Sequence, residues 1–150
     1  MAYAIQPTAL PCPQERPEFY DGVLAKRALA WVVDTILITL MTLVAGVLTL
    51  TVAWFLWPLT FVALGGLYRV ATVANGSATW GMRLMGIELR GPSGDRLDPM
   101  QAVLHVGGYY ACVLTAFLPQ LASIGAMFVT DRRQGLPDLV LGTAAINRPG

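Results

Sequence analysis

The chain has 150 residues, of which 55% are hydrophobic and 13% are charged, and its mean hydropathy is +0.58. Soluble domains carry about 25% charged residues, so this composition excludes an ordinary soluble fold and predicts one all-α membrane domain. A formal net charge of +1 gives no basis for nucleic-acid binding.

Residues 1–18 contain four prolines among mixed polar residues. Such a composition buries too little apolar surface to order itself, so we predict a disordered proline-rich tail. The stretch lacks a basic start followed by an apolar core and a small-residue cleavage site, so a signal peptide is not expected. The membrane domain is expected over residues 19–148.

Residues 28–74 are hydrophobic except for two charges, Asp34 and Arg69. The stretch is more than twice the roughly 20 residues that one membrane crossing needs. It therefore predicts a transmembrane helical hairpin, with spans at about 28–49 and 54–74 and a turn near 50–53.

Asp34 is the most informative residue of this hairpin. A charge inside an apolar helix costs about 2.5–3.5 kcal/mol on insertion scales, so Asp34 must face protein or water. Arg27 lies on the same helix face about 10 Å away along the axis, and a snorkelling side chain or a bridging group would couple the two. Arg69 has two interpretations, as a snorkelling anchor on the basic side or as a second partner for Asp34.

The stretch 75–98 is polar and rich in turn residues. Thr79 is a candidate cap for a short helix that Gly86 stops. Residues 87–90 alternate apolar and charged side chains before a Gly-Pro-Ser-Gly turn, which predicts a short strand and a β-hairpin that returns at 96–97.

Residues 100–130 form a third hydrophobic helical segment that is long for one crossing and short for two. One alternative is a single tilted span, and the other is a re-entrant hairpin bent at 119–123. His105 is the only histidine in the chain, and an interfacial position or a proton relay are its two interpretations.

The C-terminal residues 131–148 read as an amphipathic tail on the membrane surface, with Arg132 and Arg133 near anionic head groups. A bent third segment would place every basic residue on one side of the membrane, which the positive-inside rule makes the cytoplasmic side. Asp138 would then dock beside Arg27 and Asp34. This arrangement also puts the N-terminus in the cytoplasm.

Three motifs in this order resemble the RDD family of small bacterial membrane proteins, named for an arginine and two aspartates. The first motif is Arg27 with Asp34. The other two are a loop motif and a C-terminal motif, with these matching positions: Thr79, Gly81, Arg83 and Gly86, then Asp131, Arg132, Arg133, Gly135, Asp138, Gly142 and Thr143.

The resemblance implies an all-helical integral membrane domain of the bacterial inner membrane, usually of three spans and mostly of uncharacterised function. Some members of the family resemble cation/proton antiporters, and others occur beside diverse partners. Met82 and Pro137 stand where the family commonly has lysine and histidine, so roles of those side chains do not transfer to this chain.

Two functional hypotheses follow. The first is an accessory or assembly component in which the buried charges hold helices in register or bind a membrane-protein partner. The second is a cation/proton antiporter or small-solute transporter that works as a homo-oligomer through Asp34. No enzyme, cofactor or metal site is expected, because the chain has one histidine and no nucleophile–base pair, and Cys12 and Cys112 are predicted to be free thiols. Both hypotheses expect the lipid bilayer as a partner.

Overall fold

The computed structural model describes residues 8–115 and 117–148. The described chain is mostly helical and contains one two-stranded sheet. After a short 3-10 helix at Pro17–Phe19, the elements are α1 (Val23–Leu48), α2 (Val52–Phe55), α3 (Trp57–Gly76), α4 (Trp80–Leu84), β1 (Ile87–Arg90), α5 (Pro99–Thr115), α6 (Phe117–Val129), α7 (Leu136–Leu141) and β2 (Ala144–Asn147).

Two helical stretches, Pro17–Leu48 and Trp57–Gly76, are long and apolar enough to cross a membrane. Only 22% of the most apolar window of each is buried inside the protein, so most of that surface faces outward. An outward apolar surface is what a lipid environment favours. The two predicted hydrophobic helices are therefore present, although α1 begins at Val23 and α3 at Trp57.

The connection between these helices is longer than the sequence predicted. Leu50 and Thr51 have positive φ angles of 51° and 78°, and they reverse the chain inside the predicted turn. The short helix α2 then intervenes before α3 begins. The indole of Trp54 packs directly over Gly46 of α1, and a side chain at residue 46 would collide with it.

The hydrophobic segment 100–130 is two helices, α5 with 17 residues and α6 with 13. The predicted bend at 119–123 is wrong in position, because Pro119 lies in the first turn of α6, where a missing N–H costs little. Both helices are shorter than the roughly 20 residues of a typical crossing, and α6 is well below that length.

One apolar core joins the ends of these helices to the sheet. It consists of Val23, Val73, Ile87, Leu89, Leu97, Ala102 and Ala145, all buried. Ala102 lies in the first turn of α5 and Ala145 lies in β2, after α6, so the chain leaves this core along α5 and returns to it. The α5–α6 pair is therefore bent back on itself rather than extended.

The strand β1 pairs with β2 in an antiparallel register that places Ile87 opposite Asn147 and Arg90 opposite Ala144. The predicted β-hairpin is wrong in its partner, since the return strand contributes only an isolated bridge between Arg90 and Arg96. The prediction of an amphipathic surface tail at 131–148 is wrong for the residues of β2, because Ala144, Ala145 and Ile146 are buried. A local alternation pattern cannot reveal a partner strand so far along the chain.

The N-terminal residues 8–18 pack onto the far side of this sheet. Leu10 is buried in a cluster with Tyr20, Ala144 and Ile146, and the amide of Ala9 donates a hydrogen bond of 2.9 Å to the carbonyl of Pro92. This part of the predicted disordered tail is therefore ordered against the core. Residues 1–7 of that prediction lie outside the described residues.

Candidate functional site

Asp34 is buried, and its carboxylate accepts three hydrogen bonds from neutral groups. Oδ1 accepts from the hydroxyl of Tyr68 at 2.7 Å and from the amide of Gly81 at 2.9 Å. Oδ2 accepts from the hydroxyl of Thr79 at 2.6 Å. Since these donors come from α3 and from the start of α4, one carboxylate joins three helices.

The short helix α4 is positioned by its N-terminal amides, which have no carbonyl acceptor within the helix. The amide of Trp80 donates to the hydroxyl of Tyr68 at 3.1 Å, and the amide of Met82 donates to the hydroxyl of Thr79 at 3.2 Å. With Gly81 bonded to Asp34, each of the first three amides has a side-chain acceptor. A carboxylate at a helix N-terminus is also favoured by the helix dipole.

Glycine at residue 81 follows from this close approach. An added Cβ would collide with the carbonyl oxygen of Ala30 in α1 and lie 2.9 Å from Oδ1 of Asp34. In the Thr-x-Gly part of the loop motif, Thr79 therefore caps α4 and Gly81 allows the close contact with α1. Both let a helix terminus reach a buried carboxylate.

The rest of the loop motif shapes the ends of neighbouring elements. Arg83 is exposed, and its guanidinium donates at 3.4 Å to the carbonyl of Thr72 near the end of α3. Gly86 has a φ of 69°, which ends the turn after α4, and its carbonyl accepts from the amide of Arg148 at 2.8 Å.

Arg27 forms a salt bridge with Asp138, whose Oδ2 lies 2.8 Å from a guanidinium nitrogen. The Asp138 side chain is fully buried and the Arg27 side chain is 13% exposed. Arg27 also reaches the carbonyl of Arg133 at 3.5 Å. The structure thus brings the C-terminal motif to the start of α1, as the bent-back course of α5 and α6 requires.

The Asp138 carboxylate has further partners. Oδ2 accepts from the amide of Gly135 at 3.0 Å, and Oδ1 accepts from the hydroxyl of Thr143 at 2.9 Å. The ring nitrogen Nδ1 of His105 lies 3.5 Å from Oδ1. Burial opposes ionisation, but the Arg27 charge and these donors hold the pKa of Asp138 below its ordinary value.

The other positions of the C-terminal motif hold the backbone around Asp138. An added Cβ at Gly135 would lie 2.7 Å from the hydroxyl oxygen of Ser123, and Gly142 ends α7 with a φ of 66°. Arg133 also has a positive φ, 53°, and its guanidinium donates to the carbonyl of Phe128 at 2.9 Å.

The first two residues of that motif face the N-terminal segment. Asp131 is exposed and accepts from the side chain of Gln14 at 3.3 Å. Burial raises the pKa of Tyr20, whose hydroxyl donates to the carbonyl of Pro11 at 2.9 Å, and the nearby charge of Arg132 acts in the opposite direction. Asp131 and Arg132 therefore lie beside the N-terminal segment, whereas the sequence predicted head-group contacts for Arg132 and Arg133.

Arg69 is buried between α3 and α5. Its guanidinium donates to the hydroxyl of Tyr110 at 3.0 Å and lies 5.0 Å from the ring centroid of Tyr109. Cation–π contacts of this kind stabilise a desolvated arginine by about 2 kcal/mol. Neither predicted interpretation matches, because Arg69 is not at the surface, and among the described residues no ion pair joins it to Asp34.

The predicted coupling of Arg27 to Asp34 is also wrong. The physical reason is that Asp138 reaches the start of α1 and takes the guanidinium, while α4 brings neutral donors to Asp34. Sequence reasoning missed Tyr68 and Tyr110, which read as ordinary aromatic residues of hydrophobic helices. The available signal was the position of Tyr68 next to Arg69, which puts an aromatic hydroxyl beside a charge in a hydrophobic helix.

The site offers hydrogen bonding and charge pairing rather than an open chamber. Asp34 lines neither of the two surface grooves beside α1. Within the part of the chain that the structure describes, no three His, Cys, Asp or Glu side chains are grouped as a metal site needs. Cys12 and Cys112 are free thiols.

Comparison with known proteins adds one positive finding. Residues 22–142 match the family model described as the RDD family. No curated protein matches the chain, and no solved structure matches it either. The matched range contains both buried aspartates and the arginine of the salt bridge.

Proposed function

The chain belongs to the RDD family, and from that premise we propose that it is a non-enzymatic accessory or assembly component of a bacterial inner membrane. In this proposal α1 and α3 form a transmembrane hairpin. The α5–α6 pair enters and leaves on the cytoplasmic side, where the N-terminus and the sheet also lie. The return of residues 99–145 to one core supports this multi-pass topology.

The observation that carries the proposal is the internal use of the buried charges. Asp34 is bonded to three donors, and Asp138 is paired with Arg27. These bonds connect α1 to α3, to α4 and to the C-terminal segment. Their effect is to hold short elements at fixed positions around the hairpin, which suits a protein that presents a defined surface to a membrane-protein partner.

Transport through Asp34 has less support. A carboxylate that carries a proton or a cation must exchange its ligands during each cycle. Here that exchange would break the bonds to Tyr68, Thr79 and Gly81 and would detach α4. A homo-oligomer with measurable ion flux is the outcome that would favour transport.

A purification and a deletion test the accessory role together. The tagged chain, expressed at its native level, is extracted in mild detergent beside an equally tagged, unrelated two-span protein. We expect one membrane protein at near-equal stoichiometry that is absent from the control. Deleting the chain should reduce the assembled fraction of that protein, and re-expression should restore it.

Flux measurements provide the opposing outcome. The purified chain in liposomes should show no proton-coupled cation flux above empty liposomes. Flux that Asp34→Asn abolishes, from a homo-oligomer without a partner, would replace the accessory role with transport.

A further inference from the structure

Glu88 is a third buried carboxylate and lies outside the site around α1. It is on β1 opposite Ile146 of β2, and its side chain is 1% exposed. An isolated buried carboxylate is strongly unfavourable, so its charge must be compensated nearby. Around Glu88, the positive charge exceeds its single negative charge.

Three arginines converge on Glu88. Nε of Arg90 donates to Oε1 at 2.8 Å. Arg96 and Arg148 approach the other oxygen, Oε2, at 3.6 Å and 3.4 Å. Three positive charges around one negative charge leave an excess of two.

The excess charge is accessible on Arg96 and Arg148. Their side chains are 58% and 41% exposed, against 21% for Arg90. Each guanidinium has five N–H donors, and among the described residues each contacts only Glu88, at long distance. Most of their donors therefore face solvent.

The neighbouring charges do not neutralise this excess in the structure. Arg90 and Arg96 face each other across an antiparallel bridge, a placement that is unfavourable for like charges. Asp98 is occupied as a cap, accepting from the amide of Gln101 at 2.8 Å. Asp95 is exposed and forms no ion pair among the described residues.

We propose that Arg96 and Arg148 bind a phosphate group, and that Glu88 and Arg90 position them for it. Since both arginines contact Oε2, their contacting nitrogens lie within about 7 Å of each other. A phosphate that accepts one charge-assisted bond of about 2.8 Å from each side fits this span. The phosphate comes from a lipid head group or from a free phosphate, and this site does not depend on the accessory role.

Thermal unfolding of the full chain in a neutral detergent tests the site. The midpoint is measured against inorganic phosphate and, separately, against short-chain phosphatidylglycerol, at constant ionic strength because salt screens exposed charges. The chain and the control variant Arg16→Gln, which removes an exposed arginine elsewhere, should show a saturable rise. Arg96→Gln and Arg148→Gln should each weaken the apparent affinity about tenfold or more.

A change of opposite sign gives independent evidence. Glu88→Gln keeps the shape of the side chain but removes the competing negative charge, so it should tighten phosphate binding. A purely structural role for the cluster predicts no such gain. A response to inorganic phosphate identifies a free phosphate as ligand, and a response to the lipid alone identifies a head group.

Three results would overturn the proposal: no saturable response to either probe, an equal response in the arginine variants, or a response to polyglutamate alone. The last would assign the cluster to an acidic protein partner.

Discussion

Asp34 and Gly81 illustrate how single residues set the structure of this protein. A charged atom buried in α1 is tolerated because a helix terminus comes close enough to donate to it. The terminus comes close only because residue 81 has no side chain. The aspartate and the glycine are therefore one structural unit, although they lie on different helices.

We expect Gly81→Ala to lower the free energy of unfolding by about 1–3 kcal/mol, because α4 must move away from α1 and lose its bond to Asp34. Thermal unfolding in mild detergent measures this. The matched control is Gly107→Ala in α5, where an added Cβ meets no atom within 4 Å. Alanine there should be neutral or slightly stabilising. Equal midpoints for the two variants would contradict the proposed contact.

Arg27 should be coupled to Asp138 and not to Asp34. Removing one member of a buried ion pair leaves an uncompensated charge, so Arg27→Met and Asp138→Asn should each cost about 3–5 kcal/mol. The double variant should recover at least about 1 kcal/mol of the summed loss in a double-mutant cycle.

The same cycle with Arg27→Met and Asp34→Asn serves as the control. Its losses should add, because the carboxylate of Asp34 bonds to Tyr68, Thr79 and Gly81 instead. Coupling in this second cycle and additivity in the first would reverse the assignment of partners.

At the scale of elements, the two strands explain how the chain termini are held. The strand β2 lies beside β1, and residues 8–20 cover their outer face through Leu10 and Tyr20. Asn147 adds polar contacts, accepting from Lys26 at 2.6 Å and donating to the carbonyl of Glu18 at 2.7 Å. Both ends of the described chain are thereby fixed at the N-terminal end of α1.

The register predicts a specific cross-link. In a background without Cys12 and Cys112, the pair Leu89→Cys and Ala145→Cys should form a disulfide on mild oxidation, because directly opposite Cβ atoms are about 4.5–5.5 Å apart. Non-reducing electrophoresis after proteolysis between them measures it. The pair Leu89→Cys and Asn147→Cys, one step diagonal, should cross-link much less. The reverse preference would show a shifted register.

At the scale of the whole molecule, the proposed membrane topology depends on the bent α5–α6 pair. Each of its two helices is shorter than the roughly 20 residues of a typical crossing, and the chain returns to the core from which it left. In the proposed topology, the basic side includes both the 75–98 loop and the C-terminal motif. This arrangement accords with the positive-inside rule.

Impermeant thiol labelling in intact cells tests this topology, again without the two native cysteines. Leu50→Cys, at a residue that is 86% exposed, should label from outside. Ser93→Cys and Asp131→Cys, both at exposed positions, should label only after the membrane is permeabilised. Labelling of Asp131→Cys in intact cells would mean that the third segment crosses, and would separate Asp138 from Arg27.

The sequence by itself determined the class of protein and its principal residues. Composition and the length of apolar runs indicate a membrane protein with two long helices, since these depend on the chain locally. The cost of burying charge singled out Asp34, with Arg27 and Arg69 as its candidate partners. The motif spacing indicated the RDD family, to which the chain belongs, and with it Asp138.

Only the tertiary structure decided which of these residues meet. Helix periodicity places Arg27 and Asp34 on one face, but it does not reveal that α4 supplies donors to the aspartate. The sequence placed Asp138 near both residues, but it did not show that the arginine pairs with Asp138 and not with Asp34. In a low-dielectric interior, a charged side chain pairs with whichever groups the folded backbone brings beside it. That proximity depends on the packing of the whole chain.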